Sequence, residues 1–148
     1  MLFYAALIVA HAIYFTDAVA ELKGLTKSEL LDLEKKTMAE CLSKHGIEKS
    51  VHTDYLKNQP LDVSKEFKCA IGCYVGEVGY VIDRRTRWSA IEEVHDIEYK
   101  SEENKEKAAQ VLRICKTIVP EVGEDSCEAG FALYSCYMKE AIKIDLHP

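Results

Sequence analysis

Lys65-Glu-Phe67-Lys-Cys69-Ala-Ile71-Gly72-Cys73-Tyr74-Val-Gly76-Glu-Val78-Gly79 is the stretch whose reading decides the fold. Turning each residue by 100° places Cys69 and Cys73 within about 40° of each other, with Phe67, Ile71, Tyr74 and Val78 on the opposite side. The segment therefore reads as a helix with a cysteine edge and an apolar face, opening after Ser64 and stopping near Gly79. Gly72 and Gly76 flank the cysteine edge. Glycine weakens a helix, so the pair predicts a neighbouring backbone at close range. A disulfide asks for the same thing, with Cα atoms roughly 4.4 to 6.8 Å apart. The Gly-x-x-x-Gly spacing is a membrane-dimer signal only within an apolar 20-mer, which this stretch is not.

Working outward, Cys69 and Cys73 belong to a set of six with Cys41, Cys115, Cys127 and Cys136, separated by 27, 3, 41, 11 and 8 residues. Around the last pair, Cys127, Phe131, Tyr134, Met138 and Ala141 fall on one helical face. Cys136 is nine positions from Cys127 and so points the opposite way. Ala129, Ala132 and Leu133 lie towards the Cys136 side, which makes this helix apolar nearly all round and places it centrally in a bundle. Six cysteines allow 15 pairings; excluding a bridge within either helix leaves ten, which the sequence does not separate further.

The remaining helices follow from caps and periodicity. Thr26 with Glu29, enclosed by Leu25 and Leu30, forms a capping box with a hydrophobic staple and predicts a helix running to Gly46. A short second helix covers about Glu48 to Lys57 and is ended by Pro60. The fourth opens on the capping box Ser89-Ala90-Ile91-Glu92. Ser101 caps the fifth, whose Ala108, Val111, Leu112, Cys115, Ile118 and Val119 keep the helical period. The sixth starts after Pro120 and Gly123 with Asp125 as N-cap. No strand-like alternation competes, so the expected fold is all-α, a six-helix disulfide-stapled bundle.

Leu2 to Phe15 are almost all apolar and Ala18-Val19-Ala20 offers a cleavage site, so residues 1–20 read as a signal peptide and 21–148 as one domain. That stretch is too short to span a membrane. The net charge of −6 becomes −5 without residues 1–20 and suggests no nucleic-acid partner. In an oxidising compartment the six thiols are expected to pair rather than bind zinc. The usual hydrolase, metalloprotease and phosphate-loop motifs are absent, and Arg85, Arg87 and Val94 spoil the one stretch resembling a calcium loop. The expectation is a protein that is not an enzyme and carries no cofactor or metal. His95, on the face of Ile91 and Val94, reads as a packed or pocket-rim residue, and His45, His52 and His147 as surface residues or titrating groups, not ligands of one metal.

The cysteine spacing, above all the three-residue gap after Cys69 and the eight-residue gap after Cys127, resembles that of the insect odorant-binding protein family, pheromone-binding and general odorant-binding types together. The resemblance covers about Thr26 to Pro148. It implies the interlocked pairing Cys41–Cys73, Cys69–Cys127 and Cys115–Cys136, and six helices around an apolar pocket. Saposin-like proteins, with an early Cys-x-x-Cys, and eight-cysteine plant lipid-transfer proteins fit less well.

The apolar faces offer Met38, Phe67, Ile71, Tyr74, Val78, Trp88, Ile91, Val94, Val111, Leu112, Phe131, Tyr134 and Met138. Read by themselves these fill a core; under the resemblance they are expected to line a ligand pocket, with Tyr74, Tyr80 and Tyr134 supplying hydroxyls. The function implied is extracellular, reversible carriage of small hydrophobic odorants or pheromones, encountering an odorant receptor or a membrane surface, by a monomer or weak homodimer. The alternatives are a non-olfactory secreted carrier and, further off, a secreted lipid-active protein.

Two further expectations concern the loops. Arg84-Arg85-Thr86-Arg87 replaces the glycine-containing turn of many relatives and reads as a solvated loop. Ile142, Ile144 and Leu146 read either as an apolar strip over the pocket mouth, in the way similar family members use a C-terminal lid, or as a frayed tail. His147 and His95 would gain charge there between pH 7 and 5 and favour release.

Overall fold

The computed structural model describes residues 22–60 and 62–147. The expected signal peptide lies outside the described residues. Six helices are present, α1 (Lys27–Lys44), α2 (Lys49–Asn58), α3 (Lys65–Glu77), α4 (Trp88–Glu98), α5 (Glu102–Ile118) and α6 (Ser126–Lys143). No helix among the described residues is long and apolar enough to cross a membrane.

Local chemistry accounts for most helix ends. Thr26 and Glu29 form the expected capping box, the Glu29 amide donating to Thr26 Oγ1 at 3.3 Å and the Thr26 amide to Glu29 Oε2 at 2.8 Å. Ser64, Ser101 and Asp125 accept from the amides of Phe67, Asn104 and Glu128. These caps satisfy amides that the first turn leaves without a helical partner. At the other end of α3, Gly79 takes φ +90° while the Tyr80 amide returns to Val75 O at 2.8 Å. That is a glycine-closed helix stop, in a conformation a side chain disfavours.

The Cys69–Cys73 region behaves as an edge shared with α6. The three disulfides are Cys41–Cys73, Cys69–Cys127 and Cys115–Cys136, with Cα separations of 5.7, 4.2 and 5.8 Å. They join α1 to α3, α3 to α6 and α5 to α6, and α3 packs most extensively on α6. A Cβ built on Gly72 would lie 2.6 Å from Ser126 O and 2.9 Å from Cys127 Cα, and one on Gly130 would lie 2.5 Å from Gly72 Cα. Only hydrogen fits at either position. Gly76, expected to share that role, has nothing within 4 Å of its Cβ position. The close approach is thus confined to one turn of α3, where α6 enters at its N-terminus.

Two expectations are corrected between α3 and α4. Val81–Ile82 (β1) and Arg85–Thr86 (β2) pair antiparallel, Val81 opposite Thr86 and Ile82 opposite Arg85. Asp83 and Arg84 both adopt positive φ, 50° and 63°, which suits a two-residue hairpin turn whose twist matches the strands. Two residues per strand are too few to show alternation in the sequence. The arginines are also tied down rather than merely solvated. Arg84 Nη1 donates to Glu124 O at 3.1 Å, Arg85 pairs with Glu121 at 2.6 Å, and the Gly123 amide donates to Arg84 O at 2.9 Å. The hairpin consequently fastens the α5–α6 connection.

The same hairpin displaces the start of α4. The Arg87 amide donates to Tyr80 O at 2.8 Å, and Arg87 O accepts from the Ala90 amide at 3.0 Å. Arg87, without a side-chain cap, is therefore the N-cap, and the box expected at Ser89 does not form.

Two buried clusters result. The larger joins α1, α3, α4 and α6 through Leu30, Phe67, Ile71, Val75, Val78, Ile91 and Leu133. The smaller surrounds Cys115–Cys136 with Tyr99, Ala108, Val111, Ala141 and Leu146. The contrast between the two glycines is testable by thermal denaturation. Gly72→Ala should cost about 1 to 3 kcal/mol, because backbone must move. Gly76→Ala should be neutral or stabilise by up to about 1 kcal/mol, from helix propensity alone.

Candidate ligand-binding cavity

Between α1, α3, α4 and α6 lies a cavity of about 210 Å³. Helix α3 contributes Tyr74 and Val75, with Tyr80 just beyond it; α4 contributes Ile91, Val94, His95 and Glu98, followed by Tyr99. From α6 come Leu133, Tyr134, Tyr137, Met138, Ala141 and Ile142. Glu34 of α1 closes one side, and Leu146 and His147 of the C-terminal segment another. The walls are mostly hydrocarbon and aromatic, which suits an apolar guest.

Of the residues expected to line a pocket, Tyr74, Ile91, Val94, Tyr134 and Met138 meet at this cavity. Met38, Phe67, Ile71, Val78 and Trp88 instead pack in or against the larger cluster. Leu112 belongs to that cluster as well, and Val111 packs beside Cys115. Phe131 sits against Tyr55 and Phe67, ring centroids 5.8 and 6.3 Å away, with Lys68 Nζ 5.6 Å from its ring centre. It belongs to an aromatic knot with Tyr55 and Phe67 that adjoins Tyr134 and does not line the cavity. Among the C-terminal residues, Ile142 and Leu146 reach the cavity, whereas Ile144 packs against the smaller cluster. Leu146 is buried, and its amide donates to Ala141 O at 3.0 Å, so this segment folds back onto α6.

The cavity also has a polar lining that the apolar periodicity did not single out. Tyr80 donates its hydroxyl to Glu34 Oε1 at 2.5 Å. His95 Nε2 and the Tyr137 hydroxyl lie 2.8 Å apart, and His52 Nε2 and the Tyr134 hydroxyl 2.6 Å apart. His52, expected at the surface, is therefore a half-buried partner of a cavity tyrosine. Glu34 and Glu98 were not anticipated. A signal was nonetheless present: Glu34 follows Leu30 by four residues and precedes Thr37 by three, and Glu98 follows Ile91, Val94 and His95 at helical spacing. In both helices a carboxylate occupies an inward position.

Burial controls the protonation states here. Desolvation disfavours charge, so the buried carboxyls become weaker acids and the histidines weaker bases. Burial, reinforced by the charge of Glu34, pushes Glu98 up to about 7. Glu34 is also raised by burial, although the hydroxyls of Tyr80 and Tyr74 oppose this. Burial takes His95 down to about 4, against the pull of Asp96 and Glu92. His95 consequently stays neutral between pH 7 and 5, and the acid-driven charging expected at the rim does not occur there. Burial pushes Tyr99 up to about 12 and raises Tyr74, Tyr80, Tyr134 and Tyr137, so all five hydroxyls remain protonated and able to donate.

This arrangement can enclose a small apolar molecule and offer hydrogen bonds at several points of its surface. Among the described residues no group of three or more histidine, cysteine, aspartate or glutamate side chains is placed to hold a metal ion. A helical domain locked by three interlocked disulfides around such a cavity is the architecture of a carrier for small hydrophobic ligands. Residues 24–140 match the PBP/GOBP family, and the chain belongs to that family of pheromone-binding and general odorant-binding proteins.

Among solved structures the chain is similar to an odorant-binding protein of Drosophila melanogaster, with 23% identity and a TM-score of 0.61 over 82% of this chain and 99% of that one. It is also similar to an odorant-binding protein of Locusta migratoria, with 22% identity and a TM-score of 0.58 over 78% and 84%. A third similar structure is a fatty acid binding protein from the oral disk of the blowfly Phormia regina, at 21% identity and a TM-score of 0.52 over 80% and 96%. No curated protein sequence matches the chain.

Glu98 and His95 have opposite effects on stability as pH changes. Because the folded pKa of Glu98 is raised from 4.5 to about 7, its contribution is full below pH 4.5 and is lost as pH rises through 7. The folded pKa of His95 is lowered from 6.5 to about 4, so its contribution is full above pH 6.5 and is lost as pH falls through 4. Each full effect is roughly 3 kcal/mol. Between pH 8 and 5.5 the two nearly offset. On that acidification Glu98→Gln should lose about 1 to 2 kcal/mol relative to the parent chain, and His95→Gln should gain about as much. Urea unfolding at the two pH values measures both changes.

Proposed function

We propose that the protein is an extracellular carrier, secreted after removal of residues 1–20, that reversibly binds small hydrophobic odorant or pheromone molecules in the cavity between α1, α3, α4 and α6. The observation that carries this reading is the tyrosine-ringed apolar cavity inside a cross-linked bundle. Burial of apolar ligand surface at about 25 cal/mol per Å² drives uptake, and the costs of association keep it reversible. The hydroxyls orient a polar group on the guest without any covalent step. In family terms the setting is the aqueous lymph around olfactory neurons, with delivery to an odorant receptor or a membrane surface.

At about 210 Å³ the cavity has the volume of roughly seven waters at about 30 Å³ each in the liquid, which suits a small guest such as a phenyl ring with a short chain. Titration calorimetry with 2-phenylethanol should give a 1:1 complex. Val94→Phe, which fills the cavity from α4, should weaken it more than tenfold, whereas Phe131→Ala, in the neighbouring aromatic knot, should change it less than threefold. A chain ending at Lys143 lacks Leu146 and His147 and should bind several-fold more weakly. Substrate turnover, or liposome leakage without a saturable complex, would replace the carrier reading with an enzymatic or lipid-active one.

A further inference from the structure

Two carboxyl groups face this cavity, and neither has a cation to answer it. Glu98 is 7% exposed and Glu34 half-buried. Among the described residues neither forms a salt bridge. No lysine or arginine lines the cavity, and Lys27 influences Glu98 only at longer range. Tyr80 satisfies one oxygen of Glu34. Glu98 lines the same space and is met by the hydroxyl of Tyr99 next to it in the chain, with no cation beside it.

A buried carboxyl without a cationic partner is costly even when hydroxyls reach it, and an apolar side chain at either position would continue the helical face and remove the cost. The opposing tyrosines add a second feature with the same preference. Tyr74 and Tyr134 meet edge to face with ring centroids 6.2 Å apart, and Tyr80, Tyr99 and Tyr137 complete the wall. Rings so placed present negative π-faces and hydroxyl oxygens, both of which favour a cation. A carboxylate guest would meet two acids of its own sign and no lysine or arginine. The name of the blowfly protein refers to fatty acids, whereas the cavity here is lined by two carboxyls and no lysine or arginine.

We infer that the cavity, if it carries ligands as proposed above, selects a small lipophilic amine, held as its ammonium form between Glu98 and Glu34 with its hydrocarbon part against Ile91, Val94 and Leu133. The cation supplies the charge that the two carboxyls lack. The tyrosine walls exclude water from the ion pair, which strengthens it over the same pair at a surface.

Three nearly isosteric probes test this at pH 8.0, where the amine is protonated: 2-phenylethylamine, 2-phenylethanol and phenylacetate. Calorimetry on the mature chain should rank them in that order, with the amine bound about tenfold more tightly than the alcohol and phenylacetate weakest. In Glu98→Gln the amine-to-alcohol ratio, taken within the same protein, should fall to about one. Glu34→Gln should lower it severalfold, and thermal melting verifies that each variant is folded. An amine that binds no more tightly than the alcohol, or a ratio that survives in both variants, overturns the inference while the carrier reading stands. If none of the three binds, the carrier reading falls and the amine preference with it.

Discussion

The close approach of α3 and α6 is the constraint on which the rest of the structure depends. Gly72 and Gly130 remove the side chains that would hold the helices apart, and Cys69–Cys127 locks them at a Cα separation of 4.2 Å. Further along the same two helices, Tyr74, Tyr134 and Met138 border the cavity, and α1 and α4 complete its walls. The tight contact at the glycines and the cavity beside the tyrosines thus belong to one pair of helices.

A hollow interior forgoes packing that a filled core would provide, since its lining atoms lack neighbours on one side. The disulfides offset that loss. Their loops span 32, 58 and 21 residues, and closing loops of such lengths in the unfolded chain is worth roughly 3 to 4 kcal/mol each, without strict additivity. Because the bridges interlock and all three act on α3 or α6, the reinforcement falls on the helices that bound the cavity. The Arg84 and Arg85 contacts extend it to the start of α6 through the hairpin.

Electrostatics gives the cavity its individual character. A carbon-lined space would offer a guest no polar contact, whereas Glu34, Glu98, His95 and five tyrosine hydroxyls give this one several polar groups. Burial holds His95 neutral and leaves Glu98 balanced near neutrality. The acid-sensitive group in the cavity is thereby a carboxyl rather than an imidazole, and it loses negative charge on acidification where a histidine would have gained positive charge. Both changes shift the cavity in the same direction, against a cationic guest, but the carboxyl makes the change near neutrality and the buried imidazole only in stronger acid.

The sequence by itself determined the helix count, most helix ends and the outward or inward sense of each face. Thr26, Ser64, Ser101 and Asp125 act within one turn of chain, and the 100° period places Cys127 and Cys136 on opposite sides of α6 without reference to anything else. The same period marked Glu34 and Glu98 as inward, had charged residues been read alongside apolar ones. Tertiary structure alone decided that α4 begins after Arg87, because a hydrogen bond to Tyr80 ends the hairpin there. It alone separated Tyr74 and Val94, which border empty space, from Phe67 and Phe131, which border one another. Periodicity reports which way a side chain points; whether it meets an atom or a void depends on the distance to the facing helix, which no local pattern contains.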